Sequence, residues 1–205
     1  MKRIFITGIS TDVGKTIAAA IVTESLKADY WKPVQAGDLE NSDSRKLSEL
    51  ISNEKTKIHK SNYELKTAMS PHAAAEIDNL VIDINQIEEP KTTNHLIIEG
   101  AGGLMVPLNE KDTILDIIKP SYQVIVVSRH YLGSINHSLL TIESLQNKGF
   151  DVAVIFSGDE HPTTEGIITR KSGVKVLGRI DEETSFNKTV IQHYADKFHD
   201  ALMAF

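Results

Sequence analysis

The sequence contains no cysteine, which excludes disulfides and thiolate metal sites and leaves any metal to oxygen or imidazole donors. Positive charge is scarce as well. Lys+Arg 22 against Asp+Glu 28 give a formal net charge of −6, and no basic patch stands out along the chain. A surface that grips nucleic acid or anionic membrane needs clustered cations, so neither is expected as a partner. No apolar run approaches the length of a transmembrane helix, and Met1-Lys-Arg leads directly into a strand pattern without the features of a signal peptide. The expected location is therefore cytoplasmic. The eight histidines show no HExxH or paired ligand spacing and read as surface or local hydrogen-bonding residues, with only His72, beside Pro71, in a motif-like loop.

What is present describes an ordinary globular chain. Its 205 residues are 40% hydrophobic, with Gly 12 and Pro 6, enough to bury one sizeable core. No repeat, low-complexity tract or Pro/Gly/Ser linker divides it, so a single domain over residues 1–205 is expected. Apolar runs at Arg3–Thr7, Tyr30–Val34, His95–Glu99, Tyr122–Ser128, Asp151–Phe156 and Val174–Leu177 alternate with helical patterns. Those patterns fall at Lys15–Lys27, Ser44–Ser52, Ala73–Asn79, Thr113–Ile118, Ile135–Asn147, Thr164–Lys171 and Ser185–Ala204, while Lys55–Asn62 has no strong period. Short Val/Ile-rich strands with helices between them predict an α/β fold, a mainly parallel sheet covered by helices on both faces. Trp31, the lone tryptophan, is expected in the core, and Glu88-Glu89 reads as a solvated face. The spacing of Val190–Phe205 suits a helix covering the sheet or a subunit contact.

The chemistry centres on Ile4-Phe-Ile-Thr-Gly-Ile-Ser-Thr-Asp-Val-Gly-Lys-Thr16, a strand running into a glycine loop and then a helix. Such a loop offers converging backbone N–H groups and a helix N-terminus to an anion, the P-loop NTPase arrangement. Lys15 can bridge distal phosphates as a point charge, and the Thr16 hydroxyl suits Mg²⁺ held on the same phosphates. Five residues, Ile9 to Val13, separate the glycines where the standard motif has four, so this is a variant loop.

In a parallel sheet, ligands gather at the carboxyl ends of strands, where polar residues converge. After the second run comes Lys32-Pro-Val-Gln-Ala-Gly37, with Asp43 downstream; after the third comes Glu99-Gly-Ala-Gly-Gly103. Glu99 reads as a Mg²⁺ ligand or general base, or as a strand-end carboxylate capping the glycine turn. Asp43 reads as a second cation ligand, or as part of the helix cap in Asn41-Ser-Asp-Ser44. Lys32 is either a solvated strand-end lysine or a second phosphate-facing cation beside Lys15.

Six separated blocks resemble the ATP-dependent dethiobiotin synthetase family: Gly8–Thr16, Lys32–Gly37, Asn41–Asp43, Ser70-Pro-His72, Glu99–Gly103 and Leu132–Thr141. The resemblance implies condensation of 7,8-diaminopelargonate with CO₂ at the expense of MgATP, giving dethiobiotin, ADP and phosphate. It implies catalytic roles for Lys15, Lys32 and Thr11, and nucleotide contacts from Asp12, Val13, Gly14, Lys15, Thr16, Ile17 and Ser157. Substrate contacts would come from Thr11, Lys32, Ala36, Gly102, Gly133, Ser134 and Asn136, and Mg²⁺ from Thr16, Asp43 and Glu99. The start of the helix near Gly133 offers free N–H groups to a carboxylate, with Ser134 as its cap in the plainer reading. The resemblance also implies a homodimer in which the Asn136 segment reaches the partner's site.

The chain departs from that family where the nucleotide base belongs. Ser157 stands in place of an asparagine, and Gly178-Arg-Ile-Asp181 in place of a Gly-x-apolar-Pro turn. A lone hydroxyl cannot present an amide's paired donor and acceptor, so other nucleoside triphosphates are expected to substitute for ATP. Two competing readings use the same variant loop. Another amidoligase would need additional domains, and a switch ATPase of the partitioning or cell-division-positioning type usually carries a second lysine early in the loop, absent from positions 9–13.

Overall fold

A computed structural model describes all 205 residues. The chain begins β1 (Arg3–Gly8), α1 (Lys15–Leu26), β2 (Asp29–Trp31) and β3 (Val34–Ala36), followed by α2 (Asp43–Leu50), β4 (Ile58–His59), β5 (Tyr63–Leu65) and α3 (Pro71–Ile77). It continues β6 (Leu96–Gly103), β7 (Gln123–Arg129), α4 (Ser134–Asn147), β8 (Asp151–Ser157), α5 (Pro162–Ser172), β9 (Lys175–Ile180) and α6 (Lys188–Ala204).

Seven strands form one parallel sheet in the order β4-β2-β6-β1-β7-β8-β9, and β3 pairs with β5 in a separate two-stranded sheet. From β1 the chain steps toward β2 in one direction, whereas β7, β8 and β9 step in the other. Right-handed crossovers therefore put α1 on one face and α4 and α5 on the other. The packing agrees: α1 lies against α6, and α4 against α5. Strands buried on both sides have no polar face to show, and Ile4, Ile6, Ile97, Val124, Val126, Val154 and Ile155 are fully buried. Helix α6 closes its face with Ile191, Tyr194, Phe198 and Leu202, and Trp31 is in the core. No helix is long and apolar enough to cross a membrane.

β1 lies between β6 and β7, so the strand order reverses at its carboxyl end, where such sheets bind ligands. That end carries the glycine loop.

Several details differ from the sequence reading. The run Tyr30–Val34 is not one strand, because β2 ends at Trp31 and β3 joins the other sheet. Pro33 has no N–H for a central ladder, and its carbonyl instead accepts from the amides of Asn62 and Tyr63. The aperiodic stretch Lys55–Asn62 contains the edge strand β4, whose two residues are too few to leave a period. Thr113–Ile118 forms a 3-10 turn over Ile114–Ile117. Glu88 is exposed, but Glu89 is not a solvated residue. It accepts from Arg3 Nε at 2.6 Å and from the Tyr122 hydroxyl at 2.7 Å. Partial burial works to raise its pKa, and these donors outweigh it to hold the carboxyl below the usual range.

Candidate active site

The loop between β1 and α1 is shaped by two glycines. A Cβ at Gly8 would stand 2.6 Å from Val13 Cγ2 and 2.8 Å from the Ser10 carbonyl oxygen. Gly14, at φ 90°, caps α1 in the left-handed region that favours glycine, and Asp12 joins it there at φ 56°. The Ile9 amide ties the loop to β7 through the Val127 carbonyl at 3.1 Å, whereas the amides of Ser10 through Gly14 donate to no acceptor in the chain. Five consecutive unpaired N–H groups ahead of a helix N-terminus form an anion cradle. Lys15 curls into it, donating to the Ser10 carbonyl at 2.9 Å. Burial lowers the Lys15 pKa to about 8, with Glu99 pulling it up and Lys32 pushing it further down.

Beside the cradle, four side chains from four parts of the chain meet. The Thr16 hydroxyl lies 3.0 Å from Asp43 Oδ1 and 2.9 Å from Glu99 Oε1. Lys32 Nζ lies 2.6 Å from Asp43 Oδ2 and 3.0 Å from Glu99 Oε1. Adjacent parallel strands end together, so Lys32, just after β2, and Glu99, in β6, are delivered beside the loop after β1. Asp43 arrives as the first residue of α2, whose N-cap is Ser42. Burial works to lower the Lys32 pKa, but the two carboxylates prevail and raise it; burial likewise works against the Asp43 anion, and Lys32 prevails in lowering its pKa.

Thr16, Asp43 and Glu99 offer three converging oxygens, the hard donors that Mg²⁺ prefers. No three Asp, Glu, His or Cys side chains gather to cage a metal without help. The set fits a Mg²⁺ ion that completes its shell with nucleotide phosphates and water, as one or two carboxylates commonly allow.

These groups line a cleft of about 1160 Å³. Of the residues implied by sequence, Thr11, Asp12, Gly14, Lys15, Thr16, Ile17, Lys32, Ala36, Asp43, Glu99 and Gly102 line it. Val13 is buried under the loop. Ser157 is buried with its hydroxyl 3.1 Å from where a Gly14 Cβ would lie, and it does not line the cleft. Gly133, Ser134 and Asn136 lie outside this cleft, at the start of α4. There Gly133, at φ 104°, is the N-cap, so Ser134 is the first helical residue and not the cap. The amides of Ile135 and Asn136 are unpaired.

The sequence assigns no role to other residues of the site, although Gln35 and Pro71 lie inside the blocks Lys32–Gly37 and Ser70–His72. Gln35 accepts from the Asp43 amide at 3.2 Å and donates to the Gly37 carbonyl at 2.9 Å, fixing the start of α2. Arg129, paired with Glu182, lines the cleft together with Phe186, Asn187 and Lys188. Ala68, Met69, Pro71 and Val106 add apolar wall near Ala36.

A phosphate cradle at the switch point of a parallel sheet, with Lys15 and Thr16 opening the next helix, defines a P-loop nucleotide-binding protein. A family model described as an AAA domain matches residues 2–189. Solved structures similar in fold include a MinC:MinD cell division complex from Aquifex aeolicus (TM-score 0.62, 16% identity, 100% of this chain and 96% of that one). A ParA family ATPase from Chlorobium tepidum gives a TM-score of 0.56 at 13% identity over 100% and 93% of the two chains. At such identities they speak for the fold alone.

Curated sequences are much nearer. The chain is 58% identical to the ATP-dependent dethiobiotin synthetase BioD of Christiangramia forsetii, over 98% of both chains. It is 47% identical to the protein of that name from Cytophaga hutchinsonii, again over 98% of both. The chain belongs to the ATP-dependent dethiobiotin synthetase family.

Proposed function

We propose that this protein is a dethiobiotin synthetase that closes the ureido ring of dethiobiotin from 7,8-diaminopelargonate, CO₂ and MgATP. The observation that carries the reading is the meeting of Lys32 with Thr16, Asp43 and Glu99 beside the Lys15 cradle. It supplies two cations and a set of oxygen donors where two anions must be brought together.

In this reading an amine of the substrate attacks CO₂, losing a proton and forming a carbamate. A carbamate oxygen then attacks the γ-phosphorus, and the bond to the β-phosphate oxygen breaks to release ADP. The second amine attacks the carbonyl carbon of the resulting carbamic–phosphoric anhydride, losing a proton, expelling phosphate and closing the five-membered ring. The residues act by charge and position. Loop amides and Lys15 hold the phosphates, and Lys32 offsets the charge that the carbamate brings to the transferring group. Thr16, Asp43 and Glu99 are the groups that would hold Mg²⁺, directly or through water; when bound, the ion neutralises phosphate charge. Ring closure within one molecule asks chiefly for orientation, to which Thr11, Ala36 and Gly102 contribute.

The reading extends to a homodimer. Gly133, Ser134 and Asn136 would receive the substrate carboxylate at the unpaired amides of α4 in the partner's site, consistent with their place outside this chain's cleft. The exposed apolar residues Leu132, Ile135 and Leu140 on the same segment suit such an interface. The base would be read weakly, so other nucleoside triphosphates would serve.

The test is incubation of purified protein with MgATP, the diamine and ¹³C-bicarbonate. The reading expects a dethiobiotin product carrying one heavy carbon. Unchanged diamine with intact nucleotide would contradict it.

A further inference from the structure

Glu99 uses its two carboxylate oxygens differently. Oε1 accepts from Thr16 Oγ1 at 2.9 Å and Lys32 Nζ at 3.0 Å, on the cleft. Oε2 accepts from the Tyr30 hydroxyl at 2.7 Å. Tyr30 is fully buried, and its backbone is fixed in β2 between Ile97 of β6 and Ile58 of β4. It does not line the cleft and reaches it only through Glu99.

We propose that Tyr30 is a positioning residue for the cation site: its hydroxyl pins Glu99 Oε2 so that Oε1 stays directed at Thr16 and Lys32. The inference rests on the reading of Glu99 as a Mg²⁺-holding carboxylate. The terminal torsion of a glutamate is broad and roughly two-fold, so a carboxylate gripped by Lys32 alone can turn both oxygens toward the ammonium. A short charge-assisted bond to Oε2 removes that freedom. It also satisfies an oxygen that is 1% exposed as part of Glu99 and has no other donor in the chain. Partners behind metal ligands commonly change metal affinity or activity by about 10–100-fold when removed.

The test is calorimetric ADP binding by the full chain, with EDTA and with saturating Mg²⁺, in wild type and Tyr30→Phe. Affinity in EDTA should stay within about twofold, while the enhancement brought by Mg²⁺ should fall about tenfold. A purely structural role would lower the melting temperature and leave that ratio unchanged. If the phenyl variant folds poorly, the comparison moves to 4-aminophenylalanine, which keeps a donor at position 30, and 4-methylphenylalanine, which matches its bulk without one. The amino form should retain the Mg²⁺ enhancement and the methyl form should lose it. Equal enhancement in wild type and Tyr30→Phe, or in the amino and methyl forms, would overturn the proposal. Dethiobiotin formation by the wild type is scored separately: its failure would defeat the proposed reaction and leave the nucleotide comparison standing.

Discussion

The Thr16 hydroxyl lies 2.9 Å from Glu99 Oε1, joining residues 83 positions apart. The second residue of α1 meets the fourth of β6 because β1 and β6 are parallel neighbours with their carboxyl ends side by side. A hydroxyl and a carboxylate brought together beside a phosphate cradle are the oxygens a phosphate-bound cation needs.

Glu99→Gln keeps the shape of the side chain and removes its charge from this group. With the proposed Mg²⁺ role, kcat should fall by roughly a hundredfold or more while KM for the diamine changes little, a split read from steady-state kinetics. A kcat within threefold of wild type would contradict the proposed cation-holding role of Glu99.

Lys15 sets a pH dependence. Its pKa of about 8 means that the ammonium is present below that pH and lost above it. In magnesium-free buffer, ADP affinity measured by calorimetry should be flat at lower pH and weaken as pH rises through about 8, approaching tenfold per pH unit. The stability consequence has the opposite sense. The unfolded chain holds this proton more tightly, so the contribution of Lys15 to stability rises with pH between about 8 and the ordinary lysine value of 10.5.

The proposed weak reading of the base predicts tolerance toward nucleotides. Asn187, the asparagine on the cleft wall, commits Oδ1 to the amides of Thr189 and Val190 at the start of α6. Asp181 is held by Arg179 at 2.8 Å, and Ser157 is buried beside Gly14 and does not line the cleft. With Oδ1 committed, Asn187 offers a donor without its paired acceptor, and kcat/KM for ATP, GTP, CTP and UTP should agree within about tenfold. A preference for ATP beyond a hundredfold would contradict this.

Much of this arrangement was legible in the sequence, and the exceptions have physical reasons. The loop could be read because Gly8, Gly14, Lys15 and Thr16 are local in the chain, and Lys32 and Glu99 because strand ends converge in a parallel sheet, whereas Asp43 enters from the first turn of α2. The break at Pro33 was visible as a residue but not as a change of sheet, since the β3–β5 pairing depends on Tyr63–Leu65, far along the chain. Glu89 looked solvated because its partner Arg3 is 86 residues away. Tyr30 looked like any apolar strand residue, because only the fold reveals the carboxylate that its hydroxyl meets.

At the start of α4, Asn136→Asp would place a negative charge beside the unpaired amides proposed for the substrate carboxylate. KM for the diamine should rise by about tenfold or more in steady-state assays, with ADP affinity within twofold of wild type. A parallel loss of nucleotide affinity would mean that the segment serves the nucleotide instead.

The most direct test of the account is ADP release in the presence of MgATP, measured with and without 7,8-diaminopelargonate and bicarbonate, with dethiobiotin quantified by mass in the same samples. Release should require both co-substrates and match the dethiobiotin formed one for one. Release that proceeds at the same rate without the diamine would contradict it and return the variant loop to the switch-ATPase reading.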